Sequence, residues 1–404
     1  MRIPLASSGL RPKDIEEVIK TLNSGNLTMG ARVREFETAM ARYLNAKHFV
    51  MVNSGSSANL LMIEALLRPT YGKSLLSPGD SVLLPAIAWP TTVWPIVQLG
   101  LNPVFIDVDL ETLSIDLNMA QKLIDNSRIP IRGIFPIHPL GRAISNAALK
   151  EFSLKNELVL INDVCESLGS WDGKLHAGTE GIASSFSFYF SHHITTMEGG
   201  GIATNDDYYA DDLRSMRSHG WSRDRSDAAE WNQNLNNNDS KFLFVSTGYN
   251  LRPMEIQAAI GLRQLEDLDT FVSNRRRIAA TVSKALDNSS LRVVGAKTLE
   301  FESSAKSHSW MLIPIQVMGP NARERKEKIT GHLNELGVET RPVLTGNFLA
   351  QPAIQRIMRK LSDAEKFVNA TKIAQEAFLV GAHHDLDSDQ INFLCQSLNS
   401  ASKI

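Results

Sequence analysis

Cysteine is nearly missing from the chain: 404 residues carry two, Cys165 and Cys395. That is too few for a disulfide framework, a four-thiolate zinc site or a cysteine-held iron–sulfur cluster, so a reducing cytoplasm is the compartment expected. Excess charge of either sign is missing too. Lys and Arg number 42 against 44 Asp and Glu, a net charge of −2, which leaves no electrostatic footprint for nucleic acid. The start, Met-Arg-Ile-Pro-Leu-Ala-Ser-Ser-Gly, has no apolar stretch long enough for a signal peptide, and secretion is not expected. No membrane span is expected either. Ser81 to Ile106 is uncharged for long enough to cross a bilayer, but Pro85, Pro90, Pro95 and Pro103 would break such a helix repeatedly. Two strand-like runs, Val82–Leu84 and Val104–Ile106, flank a helix there, and the segment reads as buried α/β core. Internal repeats and low-complexity tracts are also lacking.

The length fits a two-domain globular enzyme, and 43% hydrophobic with 21% charged residues is ordinary for a folded protein with a sizeable core. From about Ala46 to Asn205, short apolar β-branched runs alternate with longer helical ones. This is the signature of a mostly parallel sheet covered by helices. His48–Asn53, Gly133–Ile137 and Leu158–Ile161 read as strands, and Ser57–Leu67 and Asn146–Lys155 as helices. Helical spacing returns over Met254–Asp269 and Arg275–Leu286, followed by a strand over Trp310–Val317 and a helix over Asn321–Leu336. The expected α/β organisation is a large domain, residues 1–275, and a smaller α+β C-terminal domain, residues 276–404. Ligands in such sheets gather at the carboxyl ends of strands, so motifs just after strands carry most weight.

Three such motifs stand out. Asn53-Ser-Gly-Ser-Ser-Ala-Asn59 joins a strand to a helix, where a glycine turn, hydroxyls and helix N–H groups suit a phosphate. An ordinary helix cap is the bland alternative. Leu160-Ile-Asn-Asp-Val-Cys-Glu-Ser-Leu-Gly169 delivers Asp163 and Glu166 at a strand's end; an acid there could keep a pyridinium nitrogen protonated, or simply cap the next turn. Ser185-Phe-Ser-Phe-Tyr-Phe-Ser-His-His-Ile-Thr-Thr-Met-Glu-Gly-Gly-Gly201 runs an alternating strand into two histidines and a glycine turn. Adjacent histidines on extended chain point to opposite sides and make poor joint metal ligands, so no metal site is expected. A neutral imidazole can instead take and return protons near pH 7.

Together these segments resemble the DegT/StrS-type sugar aminotransferases, a fold-type I pyridoxal-phosphate family, over nearly the whole chain. The resemblance also runs through Gly25-Asn-Leu-Thr-Met-Gly30, Phe186-Ser-Phe188, Glu198-Gly-Gly200, Thr204-Asn-Asp206, Gly248-Tyr-Asn-Leu-Arg252 and Gln257-Ala-Ala-Ile-Gly261. In that family the lysine that anchors the cofactor follows the Phe-Ser-Phe strand; counting from Phe186 puts His192 in its place. Imidazole cannot form the stable imine that an amine forms with an aldehyde, so the cofactor is expected to bind noncovalently as pyridoxamine phosphate. The substitution resembles the lysine-lacking dehydratase branch of the family, as do His192-His-Ile-Thr195 and Glu339-Thr-Arg-Pro342 through Thr345-Gly-Asn347 to Gln351-Pro352.

What the resemblance implies is a hydro-lyase: removal of the C3 hydroxyl from a nucleotide-linked 4-keto-6-deoxyhexose of the GDP-4-keto-6-deoxymannose type, for dideoxysugar and polysaccharide synthesis. His192 would be the proton-transferring catalytic residue, and glutamate would regenerate the amine form of the cofactor. Gly55, Ser56 and Ser187 match phosphate contacts, Trp89 the aromatic stacked on the ring, Asp163 the partner of the ring nitrogen and Glu166 that of the ring hydroxyl. Asn250 matches the residue that reaches the phosphate from a neighbouring subunit, which implies a homodimer with shared active sites. His219, Arg223, His308, Arg341 and Asn347 are candidate contacts to sugar, nucleotide phosphates or glutamate. Two positions depart from the pattern: Met197 replaces the first glycine of a Gly-Glu-Gly-Gly turn, and Phe190 stands where related dehydratases often carry proline. A reductive branch that holds an iron–sulfur cluster on four cysteines is disfavoured by the cysteine count. A nucleotide-sugar aminotransferase using another lysine, and a noncatalytic sugar- or cofactor-binding regulator, remain alternatives.

Overall fold

The computed structural model describes residues 1–7, 9–233, 235–236, 239–296, 305–357 and 366–404. Its centre is a seven-stranded sheet built from β1 (His48–Val52), β2 (Ser81–Pro85), β3 (Asn102–Ile106), β4 (Ile131–Ile134), β5 (Val159–Asp163), β8 (Ala183–Ser187) and β9 (Gly200–Thr204). The short hairpin Trp171–Asp172 (β6) and Leu175–His176 (β7) lies outside it. Strand order is β1-β9-β8-β5-β4-β2-β3. β9 alone runs against its neighbours, while β8, β5, β4, β2 and β3 pair in parallel. The link from Ser187 to Gly200 is a loop without a helix, and a parallel return is usually made by a crossover helix, so the chain turns straight back. That loop carries His192.

Alternation fills the two faces of the sheet. Val50 and Val52 enter one apolar cluster with Leu61, Val82 and Ile161; Phe49 and Met51 enter another with Phe36, Phe186 and Phe271. Helix Gly55–Leu67 is apolar nearly all round, as expected of an element enclosed on every side, and packs on β8, β9 and helices Pro90–Gln98 and Asp207–Met216. The proline-rich uncharged segment forms β2, helix Pro90–Gln98 and β3, with Pro90 in the first helical turn, where its missing N–H is not needed.

A second sheet of β10 (Leu291–Val293), β11 (Leu312–Val317) and β12 (Ala377–Gly381) is antiparallel throughout. Its core joins Ile313, Ile315, Phe378 and Val380 to Ile278, Val282, Ile329 and Leu394 of helices Leu268–Ala285, Ala322–Glu335 and Ser388–Ala401. The strand expected from Trp310 starts at Leu312, because Trp310 takes a left-handed φ of 48° that no ladder accommodates. Residues 275 and 276 fall inside helix Leu268–Ala285: Phe271 and Val272 pack on the large sheet, Ile278 and Val282 on the small one. Among the described residues no helix is long and apolar enough to cross a membrane.

Candidate active site

The carboxyl ends of β1, β2, β5 and β8 meet at one edge of the large sheet and open into a cleft of about 310 Å³. At the end of β1, Ser54 caps helix Gly55–Leu67 by accepting the Ser57 N–H at 3.0 Å, leaving the Gly55 and Ser56 N–H groups at the open end. A helix N-terminus with free N–H groups and a positive dipole end is a ready anion site. Ser187, closing β8, lies against it. A Cβ on Gly55 would sit 2.6 Å from Ser187 Cβ, and one on Gly200 would sit 2.5 Å from the Gly55 nitrogen, so both glycines are required for this close approach. The resulting cradle of N–H groups and hydroxyls fits a phosphate.

Asp163 closes β5 and is buried, and its carboxylate accepts three hydrogen bonds. Oδ2 accepts from Thr92 Oγ1 at 2.7 Å and Asn59 Nδ2 at 2.9 Å, and Oδ1 accepts the Cys165 N–H at 3.0 Å. Three donors from three elements hold an anion in one orientation at the cleft wall. Glu166 Oε2 accepts the Leu140 N–H at 2.8 Å, and burial pushes its carboxyl above the usual range. Trp89 precedes helix Pro90–Gln98 and leaves 49% of its surface open on the cleft, unlike a core tryptophan. Thr345 Oγ1 steadies that segment through the Ala88 carbonyl at 2.7 Å.

His192 stands across this cleft in the β8–β9 loop. Its Nδ1–H donates to the Cys165 carbonyl at 2.6 Å, since a carbonyl can only accept, and this leaves Nε2 as the lone-pair nitrogen. Desolvation lowers the imidazole pKa to about 4, reinforced by the Arg341 and Arg275 cations and opposed by the Cys165 bond and Asp163. At neutral pH the ring is therefore an uncharged base. His193 faces away into the interior, buried. Met197 adopts φ 68°, the left-handed conformation that glycine would take, and its N–H is held by Thr195 Oγ1 at 2.9 Å. The departure from glycine thus leaves the turn standing.

The cleft brings together His192, Gly55, Ser56, Ser187, Trp89, Asp163, Glu166 and Arg341 from the sequence-predicted set. Others lie elsewhere. His308 is buried, stacked on Trp310 with ring centroids 3.7 Å apart, and accepts the Trp310 N–H at 3.0 Å. Asn347 bonds Thr371 Oγ1 at 3.0 Å and caps the Leu349 N–H at 3.1 Å, behind the Trp89 segment. His219 and Arg223 are exposed; Arg223 sits over the Trp221 ring at 4.0 Å and pairs with Asp224. Asn250 is exposed too, its amide oxygen taken by Arg252 at 3.0 Å. Sequence reading missed Asn59 and Thr92. Both neighbour recognised motifs, and Asn59 lies one helical turn after Gly55, which aims the two at the same edge. Among the described residues no cluster of His, Cys, Asp or Glu could hold a metal ion.

Comparison with known proteins agrees with this architecture. The DegT/DnrJ/EryC1/StrS aminotransferase family model matches residues 9–399. A GDP-4-keto-6-deoxy-D-mannose 3-dehydratase from Yersinia pseudotuberculosis is 33% identical, covering 98% of this chain and 97% of the relative. Among solved structures, a GDP-4-keto-6-deoxymannose-3-dehydratase mutant with bound GDP-perosamine superposes with TM-score 0.87 at 31% identity, over 98% of this chain and 100% of that one. The same enzyme with a trapped PLP-glutamate geminal diamine gives TM-score 0.83 at 32% identity, again over 98% and 100%. On the match of nearly its whole length, this chain belongs to the DegT/DnrJ/EryC1/StrS aminotransferase family.

Proposed function

We propose that the protein is a pyridoxamine-phosphate-dependent 3-dehydratase of a nucleotide-linked 4-keto-6-deoxyhexose, of the GDP-4-keto-6-deoxymannose type, with glutamate restoring the cofactor's amine. The observation that carries this reading is His192: an uncharged imidazole with Nε2 open, where the family's aminotransferases place lysine. The cradle of Gly55, Ser56 and Ser187 suits the cofactor phosphate, Trp89 suits a ring face, and Asp163 suits a protonated ring nitrogen. When bound, the cofactor supplies an amine that condenses with a ketone and a ring that accepts electrons. His192 Nε2 would take a proton from beside the ring and pass it toward the departing C3 oxygen. Asp163, fixed by Asn59, Thr92 and Cys165, would hold the ring-nitrogen proton through that transfer. Glu166, on the cleft wall, would suit the ring hydroxyl, and the Arg341 guanidinium suits the carboxylate of glutamate or a nucleotide phosphate.

The aminotransferase alternative needs a lysine, and none lines the cleft among the described residues. The regulator alternative expects a decayed site, whereas Asp163 keeps three hydrogen bonds, Glu166 accepts the Leu140 N–H and His192 is held on the Cys165 carbonyl. A cytoplasmic homodimer belongs to the same proposal. The exposed Asn250 and the apolar row Ile15, Ile19 and Leu22 on helix Pro12–Asn23 support a subunit interface that completes the site. A division into a large domain, 1–275, and a small one, 276–404, is part of the same proposal; Met311, Arg341 and Leu344 of the second line the cleft beside His192.

The test is a turnover assay with pyridoxamine phosphate, glutamate and GDP-4-keto-6-deoxymannose. Release of the 3-deoxy sugar with 2-oxoglutarate is expected. A 4-amino sugar with its C3 hydroxyl intact would overturn the reading, and parallel assays with CDP-, UDP- and dTDP-linked sugars assign the nucleotide.

A further inference from the structure

Arg275 is buried to 2% exposure, and among the described residues no carboxylate is hydrogen-bonded to it. Its guanidinium is spent on backbone carbonyls instead. Nη1 donates to Met311 at 2.9 Å and, more weakly, to Trp310 and Ala382 at 3.4 Å; Nη2 donates to the carbonyl of His192 at 3.3 Å. Desolvation lowers its pKa to about 10, with Asp385 opposing from a distance, so the charge persists at neutral pH. Burying an unpaired cation costs several kcal/mol, and an apolar side chain would fill the same space without that cost. Packing therefore does not account for an arginine here.

Its position offers an account. Arg275 lies in helix Leu268–Ala285 between the residues that pack on the large sheet and those that pack on the small one. The carbonyls it gathers come from the loop that carries the base, from the residues entering β11, and from the residue after β12. A planar five-donor fork spans such divergent acceptors; an ammonium group does not hold them in one plane. We propose that Arg275 is a positioning residue that seats His192 from behind, tying the base's backbone to the strand ends of the small sheet. The base is thereby in register when the small sheet is docked.

This rests on the reading of His192 as the base, and two arms separate the two claims. Amide hydrogen exchange on the full-length protein without cofactor should show faster exchange over residues 189–194 in Arg275→Met and Arg275→Lys, with the β5 and β8 amides unchanged. Turnover of GDP-4-keto-6-deoxymannose should fall at least tenfold in kcat in both variants, with KM and the dissociation constant of pyridoxamine phosphate within threefold of wild type. Arg275→Lys keeps charge and size, so the test survives if the methionine variant fails to fold. Unchanged exchange over 189–194, full kcat in the lysine variant, or a parallel loss of cofactor binding and KM would overturn the positioning role. A wild-type protein that releases no deoxysugar would instead remove the dehydratase reading and leave the exchange arm standing.

Discussion

His192 and Cys165 are joined at 2.6 Å through Nδ1–H and the backbone carbonyl, and the N–H of the same Cys165 donates to Asp163 Oδ1 at 3.0 Å. One peptide segment thus orients both the base and the carboxylate, and fixes the tautomer that leaves Nε2 basic.

His192→Asn keeps a donor near that carbonyl but removes the basic nitrogen. C3–O cleavage should fall at least ~100-fold, the usual scale for a positioned general base. The dissociation constant for pyridoxamine phosphate, read by tryptophan fluorescence, should change less than about threefold, because the phosphate cradle is untouched. His192→Lys should form a Schiff base with pyridoxal phosphate and absorb in the visible; a variant that stays colourless would contradict the alignment of His192 with the family's lysine.

How far this site was legible in the sequence depended on the distance between partners. The helix read from Asn146 to Lys155 is the helix observed, since Ser145 caps it locally. The phosphate cradle, Asp163 and His192 each follow a strand and could be read from short motifs. Asn59 and Thr92 were not legible as carboxylate partners, because they reach Asp163 across 104 and 71 residues and only sheet order brings them together. His308 shows the opposite failure: its ring is taken by Trp310 two residues away, a local stack that spacing alone does not reveal. The reversed direction of β9 follows from a short loop, but the continuous αβ alternation concealed it.

Stability should fall with acid in a definite window. His138 and His176 are fully buried, and desolvation lowers both to about 4, against an unfolded value near 6.5. The unfolded chain therefore binds protons first as pH drops, so stability is lost from about pH 6.5 downward and levels off below about 4. At pH 5 each histidine should cost about 2 kcal/mol relative to pH 8. Urea unfolding at the two pH values measures this, and a midpoint that does not move would show that neither ring is neutral and buried.

Asp163→Asn tests the carboxylate with little change of shape. Oδ2 accepts two donors, from Asn59 and Thr92, and Oδ1 a third from Cys165. An amide must present its NH2 to at least one of these donors, leaving a buried group unsatisfied at roughly 1–3 kcal/mol. It also cannot hold a ring-nitrogen proton as an anion does. Turnover should drop at least ~100-fold on electrostatic grounds alone, with phosphate-anchored binding retained. Asn59→Ala, which removes one support and not the charge, should lose much less, and equal losses in the two variants would refute the assignment.

Met197 holds a left-handed φ of 68° on the loop between His192 and β9, at a position 41% exposed. An unbranched side chain pays roughly 1 kcal/mol for that conformation, and glycine none, although glycine also loses more chain entropy on folding. The two terms oppose, so Met197→Gly should leave the unfolding free energy within about 1 kcal/mol of wild type and kcat nearly unchanged. Met197→Val is different in kind. A β-branched residue at positive φ is strained, and the Thr195–Met197 bond at 2.9 Å ties that strain to the loop that bears the base. Valine should therefore lower both the melting temperature and kcat. If valine were tolerated as well as glycine, the turn would not be in the left-handed form, and the equivalence of Met197 with a family glycine would fall with it.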